Sequence, residues 1–257
     1  KNVQKIDQSS LSESWTMLSK TEIHTQPTQM EQDKLVKLQN PQQVQTPSKK
    51  NYLNNSSDSC INDYGSNEIK NSLRIHYLQK RLSLCKKDLK YKSAVISKNL
   101  INHPVYQNSE IIALYYPIRS EVDVLNIFDT NRKLGKKSCF PKVCGNTLRF
   151  YEVSEKSHLK SGTYGILEPN NRDCKEISPE DIDLFIIPAV CIDYRGNRIG
   201  SGKGYYDRAL ANIDSSKKLG LVFENQITCT IPADEFDKHV GYIATEAGVI
   251  KIRRRGN

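Results

Sequence analysis

The segment Ile182-Asp183-Leu184-Phe185-Ile186-Ile187-Pro188-Ala189-Val190-Cys191-Ile192 runs directly into Asp193-Tyr194-Arg195-Gly196-Asn197-Arg198-Ile199-Gly200-Ser201-Gly202-Lys203-Gly204-Tyr205-Tyr206-Asp207. Its first part is a near-continuous apolar run of strand length and reads as the most deeply buried strand of the chain. The second part leaves the carboxyl end of that strand and enters a helix read from Tyr205 to Ile213. Gly200, Gly202 and Gly204 alternate there, so the backbone is free to take φ > 0 and to offer several N–H groups with no Cβ in the way. Such a nest beside a helix start favours phosphate oxygens, and Arg198 and Lys203 add charge. Open α/β sheets bind ligands at this edge. Two familiar phosphate loops are excluded by spacing. A Walker A loop would need glycine where Asn197 stands and a hydroxyl where Gly204 stands, and a dinucleotide fingerprint is Gly-x-Gly-x-x-Gly rather than Gly-x-Gly-x-Gly. A flexible surface loop is the plainer alternative, and the Tyr-Tyr-Asp that follows the glycines argues against it.

Working outward, Ile69, Leu73, Tyr77, Lys80 and Leu84 recur at helical steps, with Lys86, Lys87 and Lys90 expected near the end of that helix. A weaker helical stretch runs from Ala94 to Ile101 ahead of Pro104. Ile111–Tyr116 reads as a strand ended by Pro117, and Val122–Leu134 as a helix closed by Gly135. Lys137–Val143 and Leu148–Val153 read as strands joined by a Gly145-Asn146 turn, the second of them pairing antiparallel. Leu219–Phe223 and Ile243–Ile252 read as strands, with a loop over Asp234–His239. Strands alternating with helices predict an α/β fold with a mixed sheet covered on both faces.

Composition divides the chain. Residues 1–68 hold 31 Asn, Gln, Ser or Thr against 17 hydrophobics, with a net charge of −1. That stretch lacks the apolar surface to offset its ordering entropy, so residues 1–67 are expected to be a disordered polar extension. Residues 69–257 carry a net charge of +10, which suits an anionic ligand, and residues 68–257 are read as one domain. The longest apolar run, Leu184–Ile192, is far short of a membrane-spanning helix. The first thirty residues lack the basic start and apolar block of a secretory signal. Seven cysteines at no zinc-ligand spacing suggest free thiols in a reducing compartment, and a cytoplasmic location is expected.

The run Gly196–Asp207 resembles the signature of the 5-formyltetrahydrofolate cyclo-ligase family, also called methenyltetrahydrofolate synthetase. Five further elements follow in the family's order: Lys70-x-x-x-Arg74; Tyr115-Tyr116-Pro117 with Glu121-Val122-Asp123; Phe140-Pro141-Lys142; Tyr164-Gly165-Ile166-Leu167-Glu168-Pro169; and Pro232–Asp237 with Thr245-Glu246-x-Gly248-Val249-Ile250. The resemblance covers nearly all of residues 69–257. It implies a fold like that of ribose-phosphate isomerases and CoA transferases. It also implies ATP-dependent cyclisation of 5-formyltetrahydrofolate, with or without a polyglutamate tail, to 5,10-methenyltetrahydrofolate.

By the same resemblance, Lys70 and Arg74 are expected on ATP phosphates. Arg198, Gly200, Gly202, Lys203, Gly204, Tyr205 and Tyr206 are expected to wrap the nucleotide. Ser201, Gly202, Lys203, Gly204 and Tyr205 are expected to face the folate, with Tyr116 and Glu121 on its pterin. Asp207 and Asp237 are expected to hold Mg²⁺, and Lys203 and Tyr205 to serve the chemistry. Ser201 departs from the longer side chain many relatives carry, and Gly241 from a usual acidic residue. The competing reading is a catalytically inactive domain that binds nucleotide or RNA. No RNA-recognition motif stands outside the loop, so nucleic acid is not expected as a partner, and neither is a membrane; a monomer is. An isomerase or transferase on the same fold would not need the Gly-Ser-Gly-Lys-Gly-Tyr-Tyr-Asp loop.

Overall fold

Side chains that alternate between two faces of an eight-stranded sheet account for most of the core. The computed structural model describes residues 65–234 and 237–252; the reading of residues 1–67 as disordered falls, up to residue 64, outside them. Helices α1 (Ser66–Leu82), α2 (Lys86–Ile101) and α3 (Pro104–Gln107) precede strand β1 (Ile111–Ala113) and helix α4 (Leu125–Leu134). Strands β2 (Lys137–Cys144), β3 (Thr147–Glu152), β4 (Leu159–Ser161), β5 (Leu167–Pro169), β6 (Glu176–Ile177), β7 (Leu184–Pro188), β8 (Cys191–Asp193) and β9 (Arg198–Ile199) follow. Helix α5 (Tyr205–Ala209) then leads to β10 (Lys218–Leu221), β11 (Ile227–Thr228), β12 (Tyr242–Thr245) and β13 (Gly248–Lys251).

The large sheet has the order β13-β12-β10-β7-β1-β2-β3-β6. Its five central strands are parallel, β13 and β3 run against them, and β6 pairs antiparallel with β3, so the sheet is mixed as the sequence predicts. Ile112, Phe140, Leu184, Ile186, Leu219 and Leu221 pack toward Ile96 and Leu100 of α2, Tyr106 of α3 and Phe128 of α4. Their neighbours Ala113, Cys139, Phe185 and Ile187 face the other way, toward Leu210, Ile213 and Ile192. A period of two along each strand therefore puts an apolar layer on both faces. No helix among the described residues is long and apolar enough to cross a membrane.

Several boundaries differ from the sequence reading. Strand β1 ends at Ala113 rather than Tyr116, α4 starts at Leu125 rather than Val122, and β10 covers Lys218–Leu221 rather than residues 219–223. The first helix stops at Leu82, where Ser83 Oγ donates to the Lys80 carbonyl at 2.8 Å. Cys85 then caps α2 by accepting the Asp88 N–H, so Lys86, Lys87 and Lys90 belong to the second helix. The apolar run 182–192 is two strands in two sheets, because Pro188 has no N–H to continue the ladder. The helix begun at Tyr205 ends at Ala209, with Leu210 out of helical geometry. The last strand is a hairpin, β12 turning at Glu246-Ala247 into β13.

The break after Pro188 carries β8 into a small sheet of order β11-β8-β9, on which Leu73, Tyr77 and Leu78 of α1 pack against Val190, Cys191 and Ile199. Gly220 lets this layer sit close to the large sheet, since a Cβ there would collide with Ile192 Cδ1. At the end of β8 the fully buried Asp193 carboxylate ties three segments together. Its Oδ1 accepts the N–H groups of Arg195 and Asn197 at 2.9 and 3.0 Å. Its Oδ2 accepts Asn197 Nδ2 at 2.9 Å and the Ile231 N–H at 3.0 Å.

Candidate active site

A cleft of about 560 Å³ opens at the carboxyl ends of β1 and β7, the edge at which open α/β sheets bind ligands. Helix α1 contributes Lys70, Arg74 and Arg81. The segment after β1 contributes Tyr116 and Glu121, the loop after β9 and the first turn of α5 contribute Gly200 to Asp207, and the loop ahead of β12 contributes Asp234 and Asp237. Every site residue expected from the sequence lines this one cleft.

The glycine-rich loop uses φ > 0 at two of its three glycines, Gly202 at 92° and Gly204 at 65°. Gly200 serves differently: its carbonyl accepts Arg74 Nε at 3.0 Å, which lays the Arg74 side chain along the loop. Arg208, in the helix that follows, donates from Nη2 to the Lys203 carbonyl at 2.6 Å and from Nε to the Asn146 carbonyl at 2.5 Å. Its guanidinium also lies 5.5 Å from the Tyr205 ring centroid. The loop is thereby fastened to the β2–β3 turn. Lys203 Nζ lies 6.0 Å from the Tyr164 ring centroid, and the Tyr164 and Tyr205 hydroxyls stand 3.3 Å apart. That hydrogen bond, with some burial, raises the Tyr205 pKa.

Ion pairs organise the rest. Arg198 donates from Nη2 to Asp207 Oδ1 at 2.7 Å, with its own side chain 5% exposed, and stacks 5.9 Å from the Tyr206 ring centroid. The Lys238 N–H reaches the same Asp207 oxygen at 3.3 Å, so residues 207 and 237–238 are neighbours in space. Lys70 Nζ bonds Asp234 Oδ2 at 2.5 Å and also Asp237 Oδ2. Burial works against the Lys70 ammonium, but these two carboxylates more than compensate and hold its pKa above the ordinary lysine value. The Lys70 bond, helped by Ser66, draws the Asp234 carboxyl below its usual range.

Glu121 accepts the Ile118 N–H at 3.1 Å and faces Arg81 Nη1 at 3.7 Å. Burial raises its pKa, opposed first by Arg81. Burial also raises the Tyr206 hydroxyl, with Glu121 adding to the effect. Behind Asp207, the buried Lys218 donates to the Leu210 carbonyl at 3.3 Å. Burial, then Arg198 and Lys238, bring its pKa down to about 8.

Magnesium keeps part of its water shell and is bound by one or two carboxylates together with phosphates. Asp207 and Asp237 supply donors of the type that mode uses. Among the described residues no group of three or more His, Cys, Asp or Glu could cage an ion unaided. The contacts described use Oδ1 of Asp207 and Oδ2 of Asp237, which leaves the other oxygen of each for a ligand.

Sequence reasoning passed over Arg81, Arg208, Asp234 and Lys218. Arg81 had a signal, because positions 70, 74, 77–78 and 81 form one stripe of α1. Asp234 lies inside the Pro232–Asp237 element, but its partner Lys70 stands 164 positions away, and Lys218 gave no signal because its contact is a backbone carbonyl, that of Leu210. Gly241 is explained by packing: a Cβ there would collide with the Ser215 carbonyl oxygen, so an acidic side chain has no room.

The profile of the 5-formyltetrahydrofolate cyclo-ligase family matches residues 66–246. A 5-formyltetrahydrofolate cyclo-ligase of Mus musculus is 29% identical over 192 residues, covering 70% of this chain and 95% of the relative. One of Mycoplasma genitalium is 34% identical, covering 61% and 86%. The solution structure of Aquifex aeolicus 5,10-methenyltetrahydrofolate synthetase superposes with a TM-score of 0.66 at 34% identity, over 74% of this chain and 95% of that one. With its fold, its order of motifs and these matches in agreement, the chain belongs to the 5-formyltetrahydrofolate cyclo-ligase family.

Proposed function

We propose that the chain cyclises 5-formyltetrahydrofolate to 5,10-methenyltetrahydrofolate at the expense of ATP, releasing ADP and phosphate. The observation that carries this reading is the convergence, in one cleft, of a phosphate-type glycine loop, lysine and arginine side chains and a buried carboxylate. A domain that had lost catalysis and only bound nucleotide or RNA would have no use for the pterin-side carboxylate beside the phosphate loop, which disfavours that alternative.

The chemical difficulty is that a formamide oxygen leaves poorly. Its attack on the γ-phosphorus of ATP expels ADP and turns that oxygen into a phosphate ester. The second folate nitrogen then attacks the formyl carbon and loses its proton, and the C–O bond breaks to release phosphate. The protein's task is positioning and electrostatic stabilisation. Lys203 and the N–H groups around Gly202 and Gly204 face the transferring phosphoryl group, and Arg74 and Arg198 flank the nucleotide. Lys70 has three donors and spends two on Asp234 and Asp237, leaving one for a phosphate oxygen. Tyr116 and Glu121 hold the pterin, Ser201 lines the folate side, and Tyr205 orients the reacting groups. Mg²⁺, held by Asp207 and Asp237 with phosphate oxygens, would neutralise phosphate charge.

The cleft is complete within one chain, which supports a monomeric catalytic unit, and a polyglutamate tail on the substrate would suit the basic surface. A reducing, cytoplasmic setting belongs to the same proposal, supported by six unpaired cysteines among the described residues. The test is the absorbance of methenyltetrahydrofolate on mixing protein, 5-formyltetrahydrofolate, ATP and Mg²⁺. Product should appear with all components and not without ATP. Its absence from the complete mixture would defeat the reading.

A further inference from the structure

Arg81 is an unusual residue to find beneath the cleft. Its side chain is 3% exposed, donates to the Ala189 carbonyl at 3.3 Å and approaches Glu121 Oε1 only to 3.7 Å. Its buried Nε has no hydrogen-bond partner among the described residues. A guanidinium cannot shed its charge, so a buried arginine bonded this sparsely costs stability relative to an apolar side chain. The packing of α1 does not call for it, since Leu73, Tyr77 and Leu78 already seat the helix on the small sheet.

We propose that Arg81 is a positioning residue, which keeps the Glu121 carboxylate ionised and aimed into the cleft so that it can accept the N–H donors of a pterin ring at neutral pH. This rests on the folate reading above. The groups facing Glu121 are Arg81 from α1, Arg119 and the Ile118 N–H from the loop after β1, Tyr115 at the end of β1, and Tyr206 from α5. Burial, reinforced by Glu121 itself, raises both tyrosine hydroxyls, so neither competes for negative charge. Arg119 is exposed and screened by solvent. Arg81 is thus the main opponent of the burial that drives Glu121 toward its neutral acid. A neutral Glu121 would present a donor to a donor. Folate affinity should therefore fall as pH drops through the Glu121 midpoint, and loss of Arg81 should move that midpoint upward.

The experiment is a carboxyl-carbon NMR titration of Glu121 in the full, ligand-free chain, its signal identified by loss in Glu121→Gln. Arg81→Met and Arg81→Gln should raise the midpoint by about one pH unit or more, and Arg81→Lys should largely restore it. Calorimetric binding of 5-formyltetrahydrofolate should show an acid limb displaced by the same amount, about tenfold weaker binding at a fixed pH on that limb. An unchanged midpoint in both neutral variants overturns the proposal while leaving the folate reading intact. Failure of the wild type to bind 5-formyltetrahydrofolate overturns the folate reading. Where the neutral variants do not fold, adding Glu121→Gln to Arg81→Met should restore folding by removing the unpaired carboxylate. If it does not, the proposal is overturned.

Discussion

The guanidinium of Arg198 meets the carboxylate of Asp207 at 2.7 Å, so the two ends of the glycine-rich loop are fastened to each other across nine residues. The loop is a closed ring held from within. Asp207 therefore does structural work beside any role toward a metal.

This alters what Asp207→Asn should do. Asparagine keeps the shape but gives the buried Arg198 a neutral acceptor, and hydrogen bonds to charged groups contribute about 1.5–3 kcal/mol. Urea denaturation should show a loss in that range, and turnover should fall and require more Mg²⁺. Wild-type stability in the variant would mean that the pair does not tie the loop.

Lys203→Met should lower kcat about a hundredfold while changing the KM for ATP little, because a cation facing the transferring phosphoryl group acts mainly in the transition state. Lys136 looks from the sequence like a surface control, but the structure excludes it. Its ammonium is tied to the Gln107 and Ser109 carbonyls at 3.0 and 2.6 Å, and its side chain is nearly buried. Lys86→Met, on the exposed start of α2, is the proper comparison. A Lys203→Met protein with normal kcat and only a raised KM would make Lys203 a nucleotide anchor.

Lys218 predicts a pH effect of definite sign. Its folded pKa, about 8, lies below the unfolded value of 10.5, so between these the unfolded chain binds the extra proton. Stability from this group rises with pH through that window, as the cost of burying an ammonium disappears. Wild-type stability minus that of Lys218→Met should increase by about 2–3 kcal/mol from pH 7.5 to 10.5. Taking the difference cancels the other groups that titrate there. A flat difference would refute the depressed pKa.

Removal of residues 1–60 should leave kcat within about twofold, because every site residue expected from the sequence lies at or after Lys70 and, among the described residues, the cleft lining begins at Asn67. The cut should not pass Ser66, whose hydroxyl donates to Asp234 at 3.0 Å and so supports the partner of Lys70. A tenfold loss of kcat on removing residues 1–60 would place a functional element ahead of residue 61.

Elements governed by short-range rules were legible in the sequence. The Gly145-Asn146 turn, the αL cap at Gly135 and the glycine-rich loop all announce themselves through residue type. The segment 182–192 was misread because apolar runs carry no register, and only Pro188 hinted at the break. The ion pairs were harder. Lys70 and Asp237 stand 167 positions apart, and nothing local to either residue names the other. Lys218 looks like any strand-end lysine until α5 and Arg198 close over it. Family resemblance reached the site residues that share a motif, but not Arg81 or Arg208, which act through contacts with motif residues.

Asp193 has a consequence for how the molecule opens. One carboxylate anchors both the approach to the glycine-rich loop, through Arg195 and Asn197, and the approach to Asp234 and Asp237, through Ile231. Release of residues 195–197 would strip the buried Oδ1 of both its donors, and release of either segment would take one of the two donors from the Oδ2 that Asn197 and Ile231 share. The nucleotide half of the cleft should breathe as a single cooperative unit, with the amides of Asn197 and Ile231 exchanging their hydrogens at one common rate, slower than the loop between Gly200 and Gly204 that they support.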